Sequence, residues 1–504
     1  MQANLSAALQ ASCQLYADRI ALQIPAGECY TYAQVGKQVA HYAAVLNSAG
    51  AMKGDRIVVQ VEKSPQSLFL YLACLRAGVV YVPLNTAYQP AELSYFLQDA
   101  EPALVVVGAE AEAPTLRLLA SLNSSAQVLT LAAAGGSFGG EANLSRESVH
   151  IGSDDLAVII YTSGTTGRSK GAMLTHRNLL SNARALIATW KVGVDDAIVH
   201  ALPIFHVHGL FVANHCALLS GARLLWHTTF DVFAVMDDLP HATVMMGVPT
   251  FYTRLLAQSS FTKAHCKNIR LFISGSAPLL LETFAQFQAR TGQTILERYG
   301  MSEAGMITSN PLQGERRGGT VGLPLPGVAL RIADGSQRAI PNGTPGSIQI
   351  HGDNVFAGYW RNPEKTREEF TDDGWFRTGD IGVLDDDGYL SIVGRAKDLI
   401  ITGGYNVYPK EIELVLDAIP GVRESAVVGV PHPDFGEAVT AVVVIDATGS
   451  ALEEAGVITH LKGCLANYKV PKRVYFVAEL PRNAMGKVQK NVVRQQVSQP
   501  APTE

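Results

Sequence analysis

Short apolar runs alternate with longer amphipathic stretches along the first part of the chain. Strand-like runs at residues 57–61, 79–84 and 104–107 are separated by a helical pattern over 65–77 and by a second helix opening near Pro90. This β-α-β-α order predicts a mainly parallel, doubly wound sheet, because parallel strands need a crossover helix between them. The apolar run 156–160 reads as a further buried strand. A helix is expected from about His176 and a strand over 197–203. Two later runs, 271–280 and 295–303, each end in a small polar turn. Loops leaving the carboxyl ends of neighbouring parallel strands open into one crevice, so three such turns predict one site.

Beyond Thr320 short strands and turns dominate, punctuated by Gly and Pro, which predicts a β-rich subdomain over about 320–394. After Gly394 the pattern becomes helix (409–418), strands (425–430 and 439–445), helix (453–465) and strand (474–477). That is a compact α+β unit of the size of a small domain. The expected fold class is therefore α/β: a large domain over 1–396 with doubly wound, mainly parallel sheets and a β-rich subdomain, then a small α+β domain over 397–504.

Composition narrows the function classes. A chain of 504 residues exceeds the size at which one core stops growing, and 47% hydrophobic with 17% charged residues describes a folded protein. A net charge of −5 offers no basic field for nucleic acid. The six cysteines form no CxxC pair, which argues against a zinc site or a disulfide framework and fits a reducing, cytoplasmic setting. No stretch has the length and apolarity of a membrane span or a secretory signal, so no membrane partner is expected. Nothing in the pattern favours monomer over dimer.

The chemistry concentrates in residues 161–171, YTSGTTGRSKG. Thr162, Ser163, Gly164, Thr165, Thr166 and Gly167 all carry a hydroxyl or are glycine, and Lys170 follows. Glycines let backbone N–H groups approach an anion, hydroxyls add donors, and the lysine adds a point charge. A polyphosphate cradle is the economical reading, against the bland one of a flexible polar turn. It is not a Walker A loop, in which Ser or Thr follows the lysine; here Gly171 and Ala172 do. Residues 135–139 match GxSxG formally, but no strand precedes and no helix follows, as a nucleophile elbow requires. His206 and His208 lack Cys, Asp or Glu at ligand spacing, so they read as pocket-lining or core residues rather than a metal site.

Taken in order, YTSGTTGRSKG, ERYGMSE, WFRTGD, GRAKDLIITGGYNVYP and PRNAMGK resemble the adenylate-forming acyl-CoA synthetase superfamily essentially from end to end. PLNTAYQPAELSYFLQDAEP, ALPIFHVHGLF, MGVPTFYTRLL and LFISGSAPLL are similar to its malonyl-CoA synthetase group. Enzymes of that superfamily activate a carboxylate with ATP and Mg²⁺ to an acyl adenylate and pyrophosphate, then transfer the acyl group to coenzyme A.

The resemblance implies a role for each motif. The cradle and Lys170 would hold the ATP phosphates. Glu303 would bind Mg²⁺, a hard cation suited to carboxylate and phosphate oxygens. Tyr299 would stack on adenine, with Gly275, Ser276, Ala277 and Pro278 as the other wall, while Glu297, Gly300, Met301 and Ser302 complete the nucleotide segment. Asp380 would accept from the ribose hydroxyls and Arg395 would contact ribose or phosphate. Lys487, read alone an ordinary solvated lysine, would reach the α-phosphate and carboxylate from a mobile small domain. Lys397 would be the hinge of that motion, Gly403 and Gly404 would border the coenzyme A channel, and His206 would stand in the catalytic centre.

A dicarboxylic acid must bury a second carboxylate, which is costly without a partner, and arginine offers a bidentate fork. Arg298 and Arg254 are the candidates, with His208 and Met306 lining the same pocket and Met306 near the α-carbon, hence relevant to methylmalonate. Against this stand a solvated Arg254 on a helix and an Arg298 paired with Glu297 or Asp380. The sequence departs from the common motifs at Ser169 (commonly Pro), Ser302 (commonly Thr) and Ala304-Gly305. Two rival enzymes remain, a ligase for another short or branched acid and an adenylating enzyme that loads a carrier protein. The joint presence of Lys487, Glu303 and Asp380 argues against a non-catalytic nucleotide-binding regulator.

Overall fold

A computed structural model describes residues 4–25, 27–132, 136–140, 149–162, 169–402, 405–432, 435–446, 452–483 and 486–498. Their strands form four sheets. The β-α-β-α order appears in a seven-stranded sheet with Val80–Pro83, Arg56–Gln60, Leu104–Val107 and Gln127–Thr130 side by side and parallel. Helices Pro65–Ala77 and Pro90–Ala100 make the first crossovers. In both, proline occupies the first turn, where its missing N–H has no intrahelical partner to lose. Ser64 and Ser67 satisfy each other's backbone N–H groups at the start of the first helix. That helix is buried on nearly all sides, which explains its continuous apolar run.

The second sheet has nine strands, in the order Leu323–Pro324, Gly305–Ser309, Ile295–Met301, Leu271–Ser274, Val244–Gly247, Ala197–His200, Arg223–Trp226, Ile20–Gln23 and Cys29–Thr31. From Ile20–Gln23 to Ile295–Met301 the pairing is parallel. Both large sheets share one hydrophobic core.

The expectation of three loops at the end of one parallel sheet is corrected here. Strand Leu156–Thr162 belongs to the seven-stranded sheet and returns as the antiparallel strand Lys170–Thr175. Ile295–Met301 likewise turns through 302–304 into the antiparallel strand Gly305–Ser309. Both return strands are largely buried, and a short buried arm carries no alternation that distinguishes a hairpin from a parallel strand. The crevice therefore lies where two sheets meet, and Thr162 Oγ1 donates to Glu303 Oε1 across it at 3.4 Å.

An antiparallel sheet of Ala329–Ala333, Gly346–His351, Phe376–Leu384 and Leu390–Arg395 follows. After the turn Ala396–Asp398, a five-stranded sheet with helices Pro409–Asp417 and Glu454–Cys464 encloses its own core around Ile400, Ile412, Leu416, Val427 and Val443. Of the GxSxG match, Gly136–Phe138 forms a single 3₁₀ turn and Ser137 Oγ accepts the Thr130 N–H at 2.9 Å, so this serine closes a strand end. Gly135 lies outside the described residues. No helix among the described residues is long and apolar enough to cross a membrane, and none of the six cysteines forms a disulfide.

Candidate active site

Strand Ile295–Met301 forms the floor of the crevice. Side chains alternate along a strand, so Glu297 and Tyr299 face one side and Arg298 the other. Arg298 is 3% exposed, and its guanidinium fills the space under Gly275, where a Cβ would stand 2.4 Å from Cζ. Its Nε and Nη2 have no hydrogen-bond partner among the described residues. Desolvation lowers the group to about 9, opposed by Tyr252 and Glu297. The suspected ion pairs do not form. Asp380 accepts from Arg395 Nε at 2.8 Å and from Tyr299 Oη at 2.5 Å, and Glu297 Oε1 accepts the Leu279 N–H at 3.2 Å.

The wall beside Arg298 is a π-helical turn, His208–Ala213, preceded by His206. His208 is buried, with Nδ1 3.4 Å from Ser276 Oγ and Nε2 without a partner among the described residues. Burial, and after it Arg298, depresses its imidazole well below the ordinary histidine value. His206 is lowered to about 3 by burial, Lys487 and Arg298. Both rings are thus neutral, and Arg298 has no counter-charge on this wall. Ser276, beside His208, has a φ of +71° that non-glycine residues rarely adopt, and Met306, 2% exposed, packs under Gly300. Arg254 is exposed on helix Pro249–Leu256, whose buried residues are Phe251, Tyr252, Leu255 and Leu256, and Thr250, one turn before it, faces Gly486 of the Lys487 turn.

On the other side of the crevice stand Glu303, Asp380, Arg395 and Lys487. Glu303 accepts from Tyr359 Oη at 3.1 Å and from Thr162, and burial raises its carboxyl above the usual range. Lys170 lies opposite Thr162 across the hairpin, with Nζ 5.3 Å over the Tyr359 ring; desolvation and then Lys365 lower its ammonium. Ser163, Gly164, Thr165, Thr166 and Gly167 lie outside the described residues, as do Gly403 and Gly404. Ala277 and Pro278 follow strand Leu271–Ser274, and Gly300, Met301 and Ser302 lie at the Glu303 end of strand Ile295–Met301, where a Cβ on Gly300 would stand 2.3 Å from the Gly305 carbonyl.

Lys487 sits in a turn closed by Gly486 N–H to Asn483 O and Asn483 N–H to Lys487 O, both at 2.9 Å. Gly486, at φ +75°, places the turn against Thr250 of the large domain. Lys487 keeps solvent access on the open side of the crevice while protein walls surround its charge. That desolvation, then Arg395, lowers its ammonium to about 8, with Asp380 opposing. Its charge interacts with Arg298, Arg395, Asp380, Glu303 and His206, so the small domain delivers it into the same centre. Lys397, in contrast, lies exposed in the turn Ala396–Asp398.

Supports that the sequence did not reveal hold the Glu303 hairpin from behind. Asn182 donates to the Met306 carbonyl at 2.7 Å and accepts the Met306 N–H at 3.0 Å. Asn354 donates to Ala304 O, and the Phe356 N–H to Glu303 O, both at 2.8 Å. Gly305 fits because φ is +59° and a Cβ would lie 2.5 Å from Asn182 Oδ1, which accounts for glycine at this departure from the common motif.

The residues fit an ATP-magnesium complex. Arg395, Lys487 and Lys170 supply cations for phosphates, and Asp380 supplies acceptors for hydroxyls. Glu303 supplies the single carboxylate a Mg²⁺ ion needs when substrate phosphates and water fill its other positions. No cluster of three or more metal-ligating side chains occurs among the described residues, and the His206–His208 pair forms none.

Glu297 provides a prediction independent of substrate. Its carboxyl is buried and raised to about 7, mainly by desolvation, and Oε2 has no partner among the described residues. The folded state therefore holds this proton more tightly than the unfolded chain, and stability falls as pH rises from about 4.5 through about 7. Glu297→Gln is expected to raise the melting temperature at pH 8 and to change it much less at pH 5. Equal shifts at both pH values contradict the assignment.

Known proteins place the chain in a family. The family model for AMP-binding enzymes matches residues 9–360, and that for the AMP-binding enzyme C-terminal domain matches 411–487. ATP-bound MatB from Rhodopseudomonas palustris is 50% identical and superposes with a TM-score of 0.94, covering 98% of this chain and 99% of its own. The mitochondrial malonate–CoA ligase of Mus musculus is 38% identical over 89% of this chain and 82% of its own length. A feruloyl-CoA synthase of an Amycolatopsis species is 36% identical over 93% and 94%. The chain belongs to the AMP-binding enzyme family, as an AMP-forming acid–CoA ligase that resembles the malonyl-CoA synthetases.

Proposed function

We propose that the chain ligates malonate to coenzyme A through a malonyl adenylate, with methylmalonate as the neighbouring substrate. The observation that carries this reading is Arg298, a guanidinium buried in the acid pocket without a hydrogen-bond partner for Nε and Nη2 among the described residues. Leaving a buried charge unsatisfied is costly, and a ligand carboxylate removes that cost with a bidentate pair. An acid with an apolar tail leaves the guanidinium bare.

In the first half-reaction one malonate carboxylate attacks the α-phosphorus of ATP and the bond to pyrophosphate breaks. Two anions approach, so the cations of Lys487 and Arg395 are placed where charge develops. Glu303 would hold Mg²⁺, which would further neutralise the phosphates. Tyr299 stacks on adenine beside the Gly275–Pro278 wall, Asp380 holds the ribose, and neutral His206 and His208 shape the pocket without competing for the distal carboxylate. In the second half-reaction the coenzyme A thiol attacks the acyl carbonyl and AMP leaves.

The acid is tested by pyrophosphate release from a panel of malonate, methylmalonate, propionate, ferulate and octanoate, with and without coenzyme A. Malonate is expected to lead, and a lead by ferulate or octanoate overturns the reading. Lys397 is the hinge in this scheme, and Gly403 and Gly404 border the thiol channel after rotation. Hinges absorb large backbone changes at a few positions, so Lys397→Pro is expected to spare adenylation and to slow thioester formation. The two rates measured separately check this; unchanged transfer rules the hinge out.

A further inference from the structure

Lys63 is a buried lysine that the reaction scheme does not use. It lies between strand Arg56–Gln60 and helix Pro65–Ala77 in the seven-stranded sheet layer and is 8% exposed. No carboxylate forms an ion pair with it among the described residues. Its Nζ instead donates to His200 Nδ1 at 3.0 Å and to His200 O at 2.8 Å, and stands 4.5 Å over the Trp226 ring. An amine buried without a carboxylate is costly, and a methionine would fill the same volume without that cost.

His200 ends strand Ala197–His200 of the other large sheet. Its Nε2 lies 3.0 Å from the Gly209 carbonyl, which can only accept, so Nε2 carries the proton and Nδ1 is the acceptor that Lys63 fills. Lys63 thereby holds the ring from the Nδ1 side, while Gly209, with Asn214 beside it, holds the other. Gly209 belongs to the π-helical turn His208–Ala213, and such turns are frequent at functional sites. The turn is closely nested, since a Cβ on Gly209 would stand 2.1 Å from the Pro203 carbonyl. One chain of hydrogen bonds thus runs from the seven-stranded sheet, through the nine-stranded sheet, to the wall that carries His206 and His208.

We propose that Lys63 is a positioning residue for the acid pocket: through His200 it sets the turn from which His206 and His208 face the substrate acid. This rests on the reading that these histidines line the acid site. Lys63 touches neither substrate, so its loss should disturb the acid's pocket and leave the nucleotide's pocket intact.

The test compares wild type, Lys63→Met, His200→Gln and the double variant in pyrophosphate release, using whichever acid the wild type activates best. The wild-type acid panel judges the malonate reading alone, and the variants judge Lys63 whatever that acid is. Lys63→Met is expected to raise KM for the acid about tenfold, the worth of one hydrogen bond, with KM for ATP within about twofold of wild type and a melting temperature within a few degrees. His200→Gln keeps an N–H for Gly209 but loses the Nδ1 acceptor, so it should show the same acid-selective rise. The double variant should be no worse than Lys63→Met, because the residues act in series. Equal rises in both KM values, unchanged KM values, or additive effects overturn the proposal. If Lys63→Met does not fold, His200→Gln alone decides: an acid-selective rise supports the proposal and a uniform or absent one refutes it.

Discussion

Lys487→Ala is expected to lower acid-dependent ATP–pyrophosphate exchange by about 10² to 10³-fold, the usual effect of removing one charge-stabilising donor from a transition state. Thioester formation from preformed acyl adenylate should survive, because no charge then develops on the α-phosphate that this ammonium must meet. The structure places Lys487 among Arg298, Arg395, Asp380 and Glu303, where its charge can act on an adenylation transition state. Its ammonium is lowered to about 8 by desolvation and Arg395. The cation is therefore lost as pH rises through about 8, and kcat/KM for adenylation should fall over the same range in wild type. The variant, having no ammonium to lose, should lack that limb. Equal loss of both half-reactions, or an unchanged alkaline limb, contradicts the role.

Arg298→Ala is expected to lower kcat/KM for malonate by about 30- to 5,000-fold, the equivalent of about 2 to 5 kcal/mol for truncating one partner of a buried charge pair. Propionate, which has the same chain length without the second charge, should lose far less. Two features of the site make the effect specific. Among the described residues no carboxylate forms an ion pair with Arg298, although Glu297 acts on it at longer range, so a ligand carboxylate would be its direct counter-ion. The histidines beside it are neutral, so they do not replace it when it is removed. The assay is initial-rate pyrophosphate release with each acid, and similar losses for malonate and propionate refute the assignment.

The separation of strands and helices was legible where burial gave a clear period. Helix Pro65–Ala77 and strand Leu104–Val107 fall where the pattern puts them. The antiparallel arms Lys170–Thr175 and Gly305–Ser309 were not legible, because short buried strands read alike in either direction. At the site, Arg298 and Arg254 had equal standing as arginines near pocket-forming motifs. Helical periodicity distinguishes their settings: Phe251, Tyr252, Leu255 and Leu256 mark the buried face of Pro249–Leu256, and Arg254 falls on the opposite, exposed one, whereas Arg298 is buried on a strand. Asn182, Asn354 and Tyr359 carry no such signal. They act on the hairpin through contacts between residues 50 to 124 positions apart, two of the three through backbone atoms, which no local pattern encodes. Lys63 and His200 were hidden for the same reason, 137 positions apart.

The claim at the centre of this account is that Arg298 recognises the distal carboxylate of a short dicarboxylic acid. The most direct measurement is the ratio of kcat/KM for malonate to that for its monomethyl ester, which has the same reacting carboxylate and chain but an uncharged tail. Wild type is expected to prefer malonate by at least about 30-fold, and Arg298→Ala to bring the ratio near one. A wild-type enzyme indifferent to the ester, or a variant that keeps the wild-type preference, would contradict it.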